Sequence, residues 1–117
     1  MRLLLVEDDD RVAAAQQDVL RRHGFEVRRV GTARDALDGA HDASWVPDVV
    51  LLDLGLPDGD GFDVCAQIVS CVEHPVVIMT SSRDSSDFGP LVSTSGACGF
   101  VPKAELSGDR VQELLLL

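Results

Sequence analysis

Three runs of purely apolar side chains constrain this chain more than any other feature. They occupy residues 3–6, 49–52 and 76–79 and read LLLV, VVLL and VVIM. A strand with one face in water alternates apolar and polar residues, so these continuous runs predict strands that are buried on both faces. Such strands occur in parallel sheets that carry helices on both sides. The runs therefore predict an α/β domain built around a parallel sheet.

Two further segments complete a five-stranded pattern. Residues 25–30 interleave charge with apolar side chains, which is typical of a half-exposed edge strand, and residues 98–101 form a shorter candidate that Pro102 stops. Apolar residues at helical spacing predict helices over 10–22, 33–42, 61–71 and 108–117. Thr32 and Asp60 are expected to cap two of them, and Gly24 stands where a helix C-terminal glycine belongs. Strands alternating with helices favour right-handed crossovers.

The segment 81–96 fits this pattern poorly. It should contain the fourth crossover helix, yet it holds six serines, a threonine and a Gly89-Pro90 pair. Because proline is tolerated only in the first turn, a helix here is expected to start at Pro90 and end by Ser95. We therefore expect a short or poorly ordered fourth helix.

Composition limits the size and the partners of the domain. The 117 residues suffice for one domain, which we expect to span 1–117. Twenty acidic against ten basic residues give a net charge of −10, which argues against direct nucleic-acid binding and against docking on an anionic membrane. Three cysteines without a CxxC pair fit reduced thiols in a cytoplasmic protein, and we expect them to be small core residues.

Polar residues follow the predicted strands where each strand ends. Glu7 and Asp8 follow the first, Asp53 the third, Thr80 the fourth and Lys103 the fifth. Ligands of open parallel sheets bind beyond the carboxyl ends of the strands, near a change in strand order. With the order 2-1-3-4-5, the four strands that carry these groups are neighbours. The groups are then expected to meet in one pocket, while strand 2 carries none of them and lies at the edge.

Such a pocket has a definite chemistry. Three crowded carboxylates repel each other, and Mg²⁺ relieves the repulsion because it prefers carboxylate oxygens supplemented by water and phosphate. Lys103 and the Thr80 hydroxyl supply a positive charge and a hydrogen-bond donor for phosphoryl oxygens. A carboxylate beside Mg²⁺ and opposite a lysine can form an acyl phosphate by nucleophilic attack of an aspartate on a phosphoryl group.

These residues resemble those of a known family over essentially the whole chain. The landmarks are LVED at 5–8, LLDLGLPDGDG at 51–61, Thr80 after PVVIM, and GACGFVPK at 96–103. Together and in order they are similar to the receiver domain of bacterial two-component response regulators. The resemblance implies a flavodoxin-like fold, a doubly wound five-stranded parallel sheet of order 2-1-3-4-5. It also implies a signalling module that turns over no metabolite and catalyses only its own phosphoryl transfer and dephosphorylation.

The resemblance also implies roles for single residues. Asp53 would accept a phosphoryl group from a histidine kinase. Asp8 and Asp53 would bind Mg²⁺ with the main-chain carbonyl of Gly55, and Glu7 would assist through water. Lys103 would pair with a phosphoryl oxygen, Thr80 would move toward the phosphoryl group, and Phe100 would turn inward at the aromatic switch position. Ala104 departs from the family, since many members have proline there.

Simpler interpretations of these residues stay open. Glu7 to Asp10 could be an acidic turn that caps a helix, which suffices for Asp9 and Asp10. Thr80 could be a core hydroxyl, Lys103 a surface lysine and Phe100 an ordinary core residue. A haloacid-dehalogenase-like phosphatase also uses an aspartyl nucleophile, but it needs a second Asp where this chain has Gly55. A receiver-like interaction module that works without phosphorylation is the remaining alternative.

The last part of the chain bears on output. We expect residues 81–117 to form the face that switches and controls an output partner or domain, transcriptional by its resemblance to receivers that precede a helix-turn-helix domain. Four leucines, 114–117, end the sequence. A helix buries only part of its circumference, so we expect either a homodimer contact through this face or an output domain beyond it.

Overall fold

A central parallel sheet organises the molecule, as the apolar runs predict. The computed structural model describes residues 1–82, 88 and 90–116. The strands are β1 Arg2–Val6, β2 Glu26–Val30, β3 Val49–Asp53, β4 Val76–Ser81 and β5 Gly99–Pro102. They form one sheet in the order β2-β1-β3-β4-β5, with parallel pairing at each junction. The predicted strand order is confirmed.

Helices cover both faces of this sheet. They are α1 Asp10–Arg22, α2 Ala33–Ala40, α3 Gly61–Val69, α4 Pro90–Thr94 and α5 Gly108–Leu115, with a 3₁₀ turn at Lys103–Glu105. Leu3 and Leu5 of β1 pack with α1 and α5, whereas Leu4 and Val6 pack with α2 and α3. Successive strand side chains point to opposite faces, so a strand between two helical layers needs apolar residues at every position.

The edge strand β2 is only partly buried. Val27 is buried, but Glu26 and Arg28 are exposed and Arg29 is half-buried. Arg28 lies 4.5 Å from the ring centre of Trp45, which is 7% exposed and packs in the core. The interleaved charges of residues 25–30 therefore mark an edge strand, as expected.

Both helix caps that the sequence predicts, Thr32 and Asp60, are present in the structure. Thr32 accepts a hydrogen bond from the Asp35 amide at the start of α2, and Asp60 accepts one from the Phe62 amide at the start of α3. Asp9 caps α1 by accepting from the Arg11 and Val12 amides. Each contact satisfies an amide that has no partner within the helix.

The fourth helix is short, as expected. It spans Pro90–Thr94, and the hydroxyls of Ser93 and Thr94 both donate to the Pro90 carbonyl. Hydroxyls that bond the preceding turn compete with regular helix hydrogen bonds, which fits a helix that stops after one turn. The expectation of weak order over the rest of 81–96 falls partly on residues 83–87 and 89, which lie outside the described residues.

Two of the three cysteines contradict the expectation of core thiols. Cys65 is buried in α3, whereas Cys71 is half-buried and Cys98 is exposed. Cys71 lies beyond the end of α3, where its Sγ is 3.2 Å from His41 Nε2, and Cys98 precedes β5 and donates to the Leu114 carbonyl. Both lie just outside regular elements, so the apolar layers do not enclose them.

The predicted last helix is shorter than expected. α5 ends at Leu115, Leu114 and Leu115 pack against the core, and Leu116 is 79% exposed. Leu117 lies outside the described residues. No helix in the described part of the chain has the length and apolar character that crossing a membrane requires.

Candidate functional site

The carboxyl ends of β1 and β3 bring three acidic side chains together. Glu7 and Asp8 follow β1, Asp53 ends β3, and one carboxylate oxygen from each lies within 4.8 Å of the others. Glu7 and Asp53 are buried, and Asp8 is exposed. The parallel pairing of β1 with β3 aligns Val6 with Leu52, which places the residues after them at the same edge. We call Glu7, Asp8 and Asp53 the acidic cluster.

Lys103 lies against this cluster. Its Nζ is 2.6 Å from Glu7 Oε1 and 3.1 Å from Asp53 Oδ2. Burial by itself would lower the pKa of Lys103, but the hydrogen bonds and charges of Glu7 and Asp53 outweigh it and raise that pKa. The amine therefore carries its charge at neutral pH and partly neutralises the two buried carboxylates.

Glu7 is the most enclosed member of the acidic cluster. Its side chain is 1% exposed, and burial raises its pKa, although the Lys103 amine and the Asp9 amide act in the opposite direction. Apart from the Lys103 amine at 2.6 Å, Glu7 Oε1 has no hydrogen-bond partner among the described residues. A buried carboxylate oxygen with spare accepting capacity suits a cation or its bound water.

The donor set fits a hard divalent cation. Each member of the acidic cluster offers a carboxylate oxygen, and Mg²⁺ takes oxygen ligands and keeps several waters of its own. The exposed position of Asp8 leaves the cluster open to solvent on one side, where such waters could reach a cation. The residues thus suit Mg²⁺ better than a metal that prefers sulfur or imidazole ligands.

Gly55 lies beside the nucleophile candidate. Its amide donates to Asp53 Oδ1 at 3.0 Å, which orients the carboxylate. A Cβ at position 55 would lie 3.6 Å from the same oxygen, so the backbone runs close to the acidic cluster. The use of the Gly55 carbonyl as a metal ligand stays a prediction.

Thr80 and Phe100 occupy the neighbouring strands. Thr80 is 2% exposed and pairs with Asp53 in the β3–β4 register. Phe100 pairs with Met79, is half-buried, and packs against the core. Its ring centre is 5.7 Å from that of Phe88, which in turn is 5.9 Å from Phe62 at the start of α3. No spacing rule in the sequence joins Phe62 and Phe88 to Phe100, so these ring contacts could not be predicted.

One side chain near the site, Arg29, has no clear signal in the sequence. Arg29 of β2 donates to the carbonyls of Glu7 and Asp8, although strand 2 was expected to contribute nothing to the pocket. The only sequence signal is an arginine pair within a strand, which is equally typical of a solvated edge. The alternative interpretation of Asp9 as a helix cap is confirmed, and hydrogen bonds from the Val12 and Arg11 amides lower its pKa.

Comparison with known proteins agrees with this geometry. The family model of the response regulator receiver domain matches residues 3–115, and the chain belongs to that family. Its fold is shared by the BeF₃-activated N-terminal receiver domain of RstA from Klebsiella pneumoniae. The TM-score is 0.86 at 25% identity, covering 99% of this chain and 97% of that one.

Two curated relatives that match this chain are longer proteins. The DNA-binding response regulator MtrA of Mycolicibacterium smegmatis is 37% identical over 102 residues, which is 87% of this chain and 43% of MtrA. The transcriptional regulatory protein AfsQ1 of Streptomyces coelicolor is 35% identical over 85 residues, 73% of this chain and 37% of AfsQ1. The chain therefore spans less than half the length of these relatives.

Proposed function

We propose that Asp53 accepts a phosphoryl group from a histidine kinase in a Mg²⁺-dependent reaction. The observation that carries this proposal is the acidic cluster, with its three carboxylate oxygens within 4.8 Å, facing the Lys103 amine. Clustered carboxylates can bind a cation, and an amine beside one of them can stabilise the negative charge of a transferred group. The receiver family of the chain supports the same assignment.

The proposed metal ligands are Asp8, Asp53 and the Gly55 carbonyl, with Glu7 acting through water. Mg²⁺ would neutralise phosphoryl charge and reduce the repulsion between the carboxylates. Two observations support the role of Glu7. Its side chain is buried, and its Oε2 accepts a hydrogen bond from the Asp9 amide at 3.2 Å. That contact holds the Glu7 side chain against the loop that carries Asp8.

In the proposed transfer, an oxygen of Asp53 attacks the phosphorus of phosphohistidine. The new O–P bond forms as the P–N bond breaks, and the departing imidazole takes up a proton from water. The Gly55 amide orients the Asp53 carboxylate. Lys103 is within 3.1 Å of that carboxylate and would follow the charge onto a phosphoryl oxygen, while the Thr80 hydroxyl would donate to another. Hydrolysis of the acyl phosphate would return the module to its starting state.

The output is proposed to run through Thr80 and Phe100 to the face of residues 81–117. Thr80 pairs with Asp53 on one side and with Val101 on the other, and Phe100 is the residue before Val101 on β5. We propose a transcriptional output partner or domain, because the relatives named above are DNA-binding and transcriptional regulators. Homodimerisation through the same face is a second route, and size measurements with and without a phosphoryl mimic would test it.

We propose further that residues 1–117 form a single receiver domain that acts in the cytoplasm. The described strands share one sheet, which supports a single domain. The cytoplasmic location is proposed because all three cysteines are free thiols, which fits a reducing compartment.

The proposal is tested by weighing the intact chain after incubation with Mg²⁺ and a small acyl phosphate. We expect a gain of one phosphoryl group, no gain when Mg²⁺ is chelated, and no gain for Asp53→Asn. Asp63→Asn is the matched control, because Asp63 is an exposed aspartate of α3 outside the acidic cluster. Failure of the wild-type chain to gain mass would favour the interaction module that works without phosphorylation.

A further inference from the structure

Arg29 makes an unusual set of contacts with the loop between β1 and α1. Its Nε donates to the Glu7 carbonyl at 2.9 Å, and its Nη2 donates to the Asp8 carbonyl at 3.1 Å. Its Nη1 is 2.8 Å from Asp10 Oδ1, and the side chain is 25% exposed. One guanidinium thus binds Glu7, Asp8 and Asp10, spanning the connection from the end of β1 to the first residue of α1.

The two carbonyls belong to the two peptide units that flank Asp8. Fixing both peptide planes fixes the backbone dihedrals of Asp8 between them, and with them the direction in which its Cβ leaves the backbone. Asp8 is the exposed member of the acidic cluster, so the packing that holds Glu7 and Asp53 does not hold it equally. The hydrogen bonds from Arg29 of β2 supply the missing constraint on the backbone of Asp8.

We infer that Arg29 is a positioning residue for the metal site, holding the Asp8 carboxylate in the geometry that the cation requires. This inference rests on the proposed function. Partners that orient metal ligands contribute to affinity because the ligand need not be ordered when the metal binds. A planar guanidinium can donate to two carbonyls at once, whereas an ammonium acts as a point charge and cannot hold the same fork.

Charge alone predicts the opposite result. A positive group near a cation site repels the cation, so removing Arg29 would strengthen Mg²⁺ binding if its charge were what mattered. The neighbouring Arg28 separates the two effects, since it carries the same charge but points to the other side of β2, toward Asp42 and Trp45. Arg28→Gln is therefore a matched control for Arg29→Gln.

The test is Mg²⁺ titration calorimetry on the whole chain. We expect Mg²⁺ to bind roughly tenfold more weakly to Arg29→Gln, at the lower end of the range that loss of a supporting partner causes. Arg29→Lys keeps the charge but not the planar fork, and it should bind Mg²⁺ about threefold more weakly than wild type. Arg28→Gln should bind as tightly as wild type or slightly more tightly. Equal affinities for Arg29→Gln and Arg28→Gln, or wild-type affinity for Arg29→Lys, would overturn the inference.

Hydrogen exchange without metal gives a second readout that does not depend on binding. Peptides covering residues 7–12 should exchange faster in Arg29→Gln than in wild type or Arg28→Gln, at matched global stability from urea unfolding. Unchanged exchange there would also overturn the inference. If wild type itself binds no Mg²⁺ while exchange responds as expected, the proposed function fails, and Arg29 is a loop clamp without a metal to serve.

Discussion

At the scale of single residues, the acidic side chains divide into two kinds. Some converge on the site, and others accept hydrogen bonds from helix amides. Asp58 belongs to the second kind, because its carboxylate accepts from the Ala33 amide at 2.6 Å and from the Arg34 amide at 3.3 Å. It thus ties the loop after β3 to the start of α2. A negative charge is favourable at a helix N-terminus, where the amides point outward.

Asp58 should make part of the stability depend on pH. The hydrogen bond from the Ala33 amide, followed by the one from Arg34, lowers its pKa below the ordinary value of 3.8. A lowered folded pKa stabilises the fold above the unfolded value, and this contribution disappears as the pH falls through the folded value. We expect Asp58→Asn to unfold more readily than wild type at pH 6, with the difference shrinking below pH about 4.

Urea unfolding at a series of pH values measures this effect. Asp38→Asn is a suitable control, because Asp38 is an exposed aspartate of α2 that lies away from the helix N-terminus that Asp58 contacts. A difference between Asp58→Asn and wild type that stays constant from pH 6 to pH 2.5 would contradict the account.

At the scale of elements, two helices are followed by glycines in the left-handed region. Gly24 follows α1 with φ at +97°, and Gly96 follows α4 with φ at +91°. A Cβ at Gly24 would meet nothing within 4 Å, whereas one at Gly96 would lie 2.8 Å from Val69 Cγ2. The two positions therefore share a backbone requirement and differ in packing.

Alanine substitutions should separate these two costs. We expect Gly24→Ala to lower the free energy of unfolding by about 1 kcal/mol through backbone strain. Gly96→Ala should cost roughly 1–3 kcal/mol more, because α3 must yield to the added carbon. Urea unfolding would measure both. Combining Gly96→Ala with Val69→Ala should remove part of the extra cost, and equal costs at positions 24 and 96 would refute the packing argument.

The same scale shows why most of the fold could be predicted. Continuous apolar runs at 3–6, 49–52 and 76–79 leave no solvent face, so the helical layers on both sides follow from them. The edge position of β2 followed from its interleaved charges. The lengths of α2, α3 and α5 were overestimated, because apolar spacing continues past the point where tertiary contacts end each helix.

At the scale of the whole molecule, the sequence predicts only the site residues whose positions follow from the strand topology. Parallel strands place the residues after them at one edge, which is why Glu7, Asp8 and Asp53 could be grouped from their positions alone. Contacts such as Arg29 with the β1–α1 loop, or Phe88 with Phe62 and Phe100, depend on side-chain reach across elements. No local pattern in the sequence encodes that reach.

A crystal structure of the chain with Mg²⁺ and beryllofluoride, a mimic of the phosphoryl group, would show whether Asp53 is the phosphoryl acceptor of a magnesium site. We expect the ion between the carboxylates of Asp8 and Asp53, the mimic on Asp53, and the Lys103 amine turned from Glu7 toward a fluoride. Ion and mimic bound elsewhere, with Lys103 still paired to Glu7 and Asp53, would contradict this role of Asp53.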